Sequence, residues 1–232
     1  MKARNLVKAV LAWVTSAVVA HAASIVVNDA SFETNDGGDL ASGGWSNNLS
    51  PDWEERDGVA NGNSFEEFIP SFSSDGTDHI GMNSGYYIWQ DTGVALQPNT
   101  IYTLTIGAGR RTSGQTSAGN STVYALLAGT TNLGAASYAN TAAVIADPSL
   151  TLASASFNAG SLSDLTFVDA PDLVFTTGAT VPAENVVILL GDNSDGARSH
   201  FDNIRLDATP IPEVSTSLFG LLGALFLFRR RR

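Results

Sequence analysis

The sequence predicts an all-β protein built as an antiparallel β-sandwich. Three observations predict it: between Ala23 and Asp207 apolar and polar residues alternate with a period of two wherever apolar residues cluster, helical spacing is nearly absent, and stretches rich in Ser, Thr, Gly and Asn recur at short intervals. A period of two sends successive side chains to opposite faces of a strand. Many short strands with turn signals between them belong to sandwiches rather than to sheets wound with crossover helices.

In chain order, strands are expected at Ser24–Asn28, Trp53–Arg56, His79–Met82, Tyr86–Asp91, Ile101–Ala108, Thr122–Leu127, Leu150–Phe157, Asp172–Thr176, Val186–Leu190 and Phe201–Leu206. The clearest is Ile101–Ala108, where Tyr102, Leu104, Ile106 and Ala108 line one face after the turn Gln97-Pro98-Asn99-Thr100. Val186–Leu190 is continuously apolar, as a strand buried on both faces should be. Phe201–Leu206 alternates again after the loop 191–196, and these two strands are expected to pair as a hairpin. Ala139–Ala146 is the one stretch that suits a helical turn.

The chain has 232 residues, a formal charge of −11 and no cysteine. That length suits one domain with short appendages, taking about 100 to 200 residues per domain. Without cysteine, disulfides, thiolate metal sites and a thiol nucleophile are excluded. The basic residues sit mostly at the two ends, and residues 23–211 hold five arginines against 22 acids, a net −17. Such a field repels phosphate backbones and excludes nucleic acid as a partner.

The ends read as sorting signals. Lys2, Arg4 and Lys8 precede the apolar stretch Ala9–Ala20 and the small-x-small site Ala20-His21-Ala22, so residues 1–22 are expected to be a secretory signal peptide cleaved after Ala22, with an uncleaved anchor as the alternative. The body is then 23–207, followed by the tail 208–232. In the tail, Pro212 and Glu213 lead through a short spacer to an apolar segment, 217–228, and to Arg229, Arg230, Arg231 and Arg232. As a helix that segment reaches about 18 Å, short of a hydrocarbon core of about 30 Å. This pattern resembles the PEP-CTERM sorting signal of Gram-negative bacteria, although Val214 stands where the family usually has a second proline. The resemblance implies processing by an exosortase, transient anchoring in the inner membrane and release to the cell surface or exopolysaccharide matrix. A plain tail anchor is the alternative.

In the body, Asn28–Glu33, Gly44-Trp45, Ile88-Trp89-Gln90, Leu96–Leu104 and Phe201–Leu206 follow one another in an order similar to that of the galactose-binding-like jelly roll shared by several carbohydrate-binding modules. The resemblance implies a structural calcium site to which Glu33 and Asp202 contribute. On an uninterrupted strand, Asp202 shares a face with Ile204 and Leu206, so it should point inward, and a buried carboxylate needs a cation or several donors. Capping of a turn through backbone N–H groups is the equal alternative. The loop Gly191–Gly196 only superficially matches a calcium loop, since Gly191 stands where the first Asp is required.

Catalytic chemistry looks poorly supplied. The body holds two histidines, His79 and His200, and no nucleophile elbow, and the pairs Glu54-Glu55 and Glu66-Glu67 are expected to be solvated surface acids. Trp53, Tyr86 and Tyr87 lie among polar and Gly-rich residues and are the candidates for stacking on sugar rings, while Trp45 and Trp89 are expected in the core. The functional expectation is therefore an exported, non-catalytic surface or matrix protein that is structural or weakly polysaccharide-interacting. A dedicated carbohydrate-binding module comes second, and a glycoside hydrolase or lyase third.

Overall fold

The computed structural model describes residues 21–34, 43–57, 62–112, 115, 116, 119, 121–135, 137–194 and 198–212. The strands among them are β1 (Ala23–Ile25), β2 (Trp45–Ser46), β3 (Glu54–Glu55), β4 (Ser64–Phe68), β5 (Asp78–Asn83), β6 (Tyr87–Ala95), β7 (Thr100–Arg110), β8 (Thr122–Ala128), β9 (Thr151–Phe157), β10 (Thr166–Asp169), β11 (Leu173–Thr176), β12 (Asn185–Asp192) and β13 (Arg198–Pro210). One short helix, α1 (Thr141–Ile145), falls within the stretch expected to be helical and is capped by the Asn140 side chain on the Ala143 N–H.

The larger sheet runs β10-β7-β13-β5-β4-β2, with β1 on β13 and β11 on β7, and the smaller runs β3-β6-β12-β8-β9. All pairs are antiparallel. The core lies between the sheets, where Leu104, Ile106, Ile80, Met82 and Phe201 of the larger meet Ile88, Leu126, Ile188 and Leu190 of the smaller. A second apolar cluster covers the far face of the smaller sheet, where Tyr87, Trp89, Leu127, Val187 and Leu189 pack under Leu133, Val144 and Leu150. This explains the continuous apolar run of β12: both of its faces are buried.

The structure corrects several expectations. Val186–Leu190 and Phe201–Leu206 do not pair, because β12 sits in the smaller sheet between β6 and β8 while β13 sits in the larger between β7 and β5. Trp53, Tyr86 and Tyr87 offer no ring face to a sugar. Tyr86 faces the central core and Tyr87 the second cluster, so the two adjacent tyrosines are both buried because both faces of the smaller sheet are covered. Trp53 packs on Phe32 at 5.3 Å between ring centroids and donates through Nε1 to the Asp29 carbonyl. Trp89 is in the core as expected, but Trp45 is 61% exposed.

Asp202 does not share a face with Ile204. A bulge separates Asp202, opposite Gly107, from Arg205, opposite Thr105, and Asn203 within it has φ 50°. The extra residue lets Phe201 and Ile204 both enter the core and turns Asp202 to the outer face. No helix among the described residues is long and apolar enough to cross a membrane. The signal-peptide expectation over residues 1–20, and Glu213, the apolar segment 217–228 and Arg229–Arg232 of the tail, lie outside the described residues.

A candidate active site on the outer face of the larger sheet

Period-two alternation also decides what stands on the outer face of the larger sheet. On β5, Ile80 and Met82 enter the core, so His79 and Gly81 face out, and on β13 Phe201 enters the core while His200 faces out. Registers then assemble two neighbouring rows. In one, Trp45 lies opposite Glu67, which lies opposite His79. In the other, Phe65, Gly81, His200, Gly109 and Phe167 follow one another across β4, β5, β13, β7 and β10. The glycines make room for the rings: a Cβ on Gly109 would come within 2.6 Å of the Phe167 ring, and one on Gly81 would overlap Phe65.

Glu67 is the centre of the site. One carboxylate oxygen, Oε1, pairs with Arg111 Nη1, and the other, Oε2, lies 3.1 Å from His79 Nε2 and 3.8 Å from His200 Nδ1. At 3.1 Å His79 donates to Glu67 from its Nε2–H tautomer, whereas 3.8 Å is too long for a hydrogen bond. Phe72 packs edge-on against both imidazoles at 4.8 and 5.4 Å, and Phe167 closes on Phe72 at 4.5 Å. Burial holds the His79 imidazole below its ordinary pKa against the opposing pull of Glu67. Burial also pushes His200 well down, and neighbouring His79, Arg111 and Arg198 add to that direction. Both rings are therefore neutral at neutral pH. His200 Nδ1 and Nε2 and His79 Nδ1 are buried without a hydrogen-bond partner. Glu67, His79 and His200 together form a group able to hold a metal ion, with their ligand atoms within 4.8 Å of one another.

Above this group opens a cleft of about 530 Å³, lined among others by Trp45, Phe65, Glu67, Arg111 and Arg198. The Arg198 guanidinium sits over the Phe65 ring at 4.9 Å. The cleft thus offers an exposed indole face, fixed cations and one carboxylate backed by imidazoles. Planar apolar groups are held by such walls, and protons are exchanged by such carboxylates.

The expected metal ligands Glu33 and Asp202 both bond the 74–78 segment, but at different residues of it, and they belong to no metal-capable cluster of three ligand groups among the described residues. Glu33 Oε1 accepts from the N–H groups of Thr77 and Asp78 at 2.7 and 2.8 Å, and its Oε2 from Thr77 Oγ1. Asp202 Oδ2 accepts from the N–H groups of Ser74 and Asp75 at 2.5 and 2.9 Å, and Oδ1 from Asn203 N–H. Burial outweighs these donors and pushes Asp202 up to about 7. Both carboxylates therefore hold backbone N–H groups of the 74–78 segment.

Three of the four glutamates expected to be solvated are buried: Glu55, Glu66 and Glu67. Glu66 accepts from Ser50 N–H at 2.8 Å, and Glu55 accepts from Tyr86 Oη at 3.3 Å while burial pushes it up to about 7. The sequence does not mark β4 as a strand, because neither of its faces reads as apolar. The signal it does carry for this site lies in His79 and His200, each adjacent on its strand to a core residue and so destined for the same outer face.

A two-sheet jelly-roll sandwich with an acid–imidazole cleft on the outer face of its larger sheet is the class the fold and site define. Residues 23–207 match the family described as HpiC1-like, HpiC1 cyclase, and the chain belongs to that family. No curated protein is significantly similar to it in sequence. The fold is similar to that of the Stig cyclase Fisc from Fischerella sp. TAU in complex with (3Z)-3-(1-methyl-2-pyrrolidinylidene)-3H-indole, at 19% identity and a TM-score of 0.61 over 83% of this chain and 100% of that one. A cyclase from the same organism in complex with 4-(1H-indol-3-yl)butan-2-one gives 20% identity and a TM-score of 0.58 over 82% and 99%. A Family 16 carbohydrate-binding module gives 0.43, too low to argue from. The expectation of a non-catalytic structural or sugar-binding protein, and with it the reading that the chain is not an enzyme, is overturned by the cyclase family match.

Proposed function

We propose that the protein is a cyclase that closes a ring in a small molecule bearing an aromatic group, by moving a proton at the cleft. Membership of the cyclase family across the whole body carries the reading. The indole ligands in the related structures agree in kind with a cleft that has Trp45 exposed at its rim. In an isomerising cyclisation a proton adds to an unsaturated bond, the electron-rich ring attacks the resulting cation, and a proton leaves, so mass is conserved. Glu67 is the group to accept the leaving proton: it lines the cleft, and Arg111 and His79 hold its two oxygens. The exposed aromatic face of Trp45 favours a developing cation. The test is incubation of the purified full-length protein with 3-alkenylindoles and detection of an isomeric product by liquid chromatography and mass spectrometry. No isomer from any of them, or unchanged turnover in a folded Glu67→Gln variant, overturns the reading.

Two further expectations stand beside it as proposals. Calcium at Glu33 and Asp202 is supported by both carboxylates bonding the 74–78 segment, in which the Asp75 charge adds to the upward push on Asp202. A melting temperature that chelation at constant ionic strength leaves unchanged would exclude it. Export, with tail processing by an exosortase, is supported by the basic start, the small-x-small site and the Pro212-Glu213 to Arg232 pattern. An intact mass from cells that retains either end speaks against it.

A further inference from the structure

The cluster beneath the cleft has a feature that proton transfer alone does not use. Two imidazoles stand side by side in an apolar box, at 5.3 Å between ring centroids, and three of their four nitrogens lack a partner. An orphaned buried polar group destabilises a fold unless something satisfies it. Of those three, His200 Nδ1 points at the same carboxylate oxygen that His79 Nε2 already reaches, at 3.8 Å.

That arrangement has the dimensions of a coordination shell. Ligands about 2.0 to 2.1 Å from a tetrahedral metal lie about 3.3 Å from one another. The Glu67 Oε2–His79 Nε2 edge is 3.1 Å, the Glu67 Oε2–His200 Nδ1 edge is 3.8 Å, and the ligand atoms all lie within 4.8 Å of one another, so the side chains draw in by up to about 1.5 Å to close the shell. Arg111 pairs with Oε1, which leaves Oε2 to the imidazoles and fixes the carboxylate as an outer partner should. Phe72 and Phe167 supply the dry surround. Two nitrogens and one oxygen suit a borderline transition metal, not calcium, which takes six to eight oxygens.

We propose that Glu67 Oε2, His79 Nε2 and His200 Nδ1 bind one divalent transition-metal ion of the zinc class beneath the cleft that Glu67 lines. The site shares Glu67, the proposed proton acceptor, with the cyclase reading, but its test reads metal binding rather than turnover, so the two readings fail separately. It is distinct from the Glu33 and Asp202 carboxylates, which serve the 74–78 loop.

The experiment strips the full-length protein with chelator and titrates Co2+, then Zn2+. The expected result is one Co2+ per chain with the visible absorption of a four-coordinate site, displaced by one Zn2+. His79→Gln and His200→Gln should each weaken binding at least tenfold and abolish the four-coordinate spectrum, while Asp202→Asn leaves both unchanged. Should the histidine variants fail to fold by circular dichroism, X-ray absorption on the Co2+-loaded wild type decides, because two imidazoles must appear in the shell. Absence of stoichiometric binding, a shell without imidazole, or unchanged affinity and spectrum in folded histidine variants overturns the proposal. Metal binding without cyclase activity would uphold this inference and sink the other reading, and the reverse outcome would do the opposite.

Discussion

On β13, His200 and Asp202 are separated by one residue, face the same side of the larger sheet and are both fully buried, yet their surroundings differ in kind. Asp202 is met by three backbone N–H groups, and Glu33 by two with a hydroxyl, so Asp202 ties the 74–78 segment to β13 and Glu33 ties it to the loop before β2. His200 is met by rings and by a carboxylate just out of reach, and its neighbour Glu67 opens onto a cleft. Backbone donors belong to the fold and keep a carboxylate in place. Side chains that are buried, grouped and only partly satisfied are kept for chemistry or for a ligand.

The comparison breaks if Glu67 proves to be another staple. Glu67→Gln should lower kcat/KM for isomer formation by roughly 10² to 10⁴, the usual worth of a positioned acid or base. Next in size is Asp202→Ala, which orphans three N–H groups and should cost at least about 3 kcal/mol, with each kcal/mol lowering the melting temperature of a protein this size by about 2 to 4 °C. Glu33→Ala should cost less, because Glu33 is exposed whereas Asp202 is fully buried. Equal losses from the two would show that burial does not separate them.

Glu55 sharpens the comparison as a buried acid with a poorer set of donors. Its folded pKa, about 7, lies above the ordinary value of 4.5, so the fold favours the neutral form. Its contribution is therefore fully present below pH 4.5 and is lost as pH rises through 7. Removing the charge with Glu55→Gln should flatten that window. Above pH 7 the variant should be more stable by about 1 to 2 kcal/mol, less than the full thermodynamic worth of so large a pKa difference because solvent partly screens the carboxylate. Urea denaturation at pH 4.5 and 8 checks it, and an identical pH profile in the variant would sink it. The smallest effect on stability belongs to Trp45→Ala, within about 0.5 kcal/mol because the ring is exposed. Its effect should appear in KM, measured in the same isomerisation assay.

How much of this is legible in the sequence varies by element. The alternation Tyr102, Leu104, Ile106, Ala108 foretells β7 and its inner face, and the apolar run of Val186–Leu190 foretells a strand covered on both sides. Ser64–Phe68 is not legible, because Glu66 and Glu67 read as surface residues until partners from Ser50 and Arg111 are known. The orientation of Asp202 escapes a sequence reading because one inserted residue at Asn203 reverses the alternation, and nothing local announces a bulge. Trp45 escapes it for the opposite reason: β2 is only two residues long, on the outermost strand of its sheet, and the ring is left largely exposed.

By itself, then, the sequence determined the all-β class, most strand positions, the inner face of the long strands and the uneven charge of the chain. These are local properties, since a period of two needs only neighbouring residues to be read. Only the tertiary structure decided that Glu67, His79 and His200 meet, although His200 lies 121 positions after His79 in the chain. Their meeting depends on which strands pair and in what register, and those are set by the packing of two sheets over a shared core rather than by any residue's neighbours in the chain.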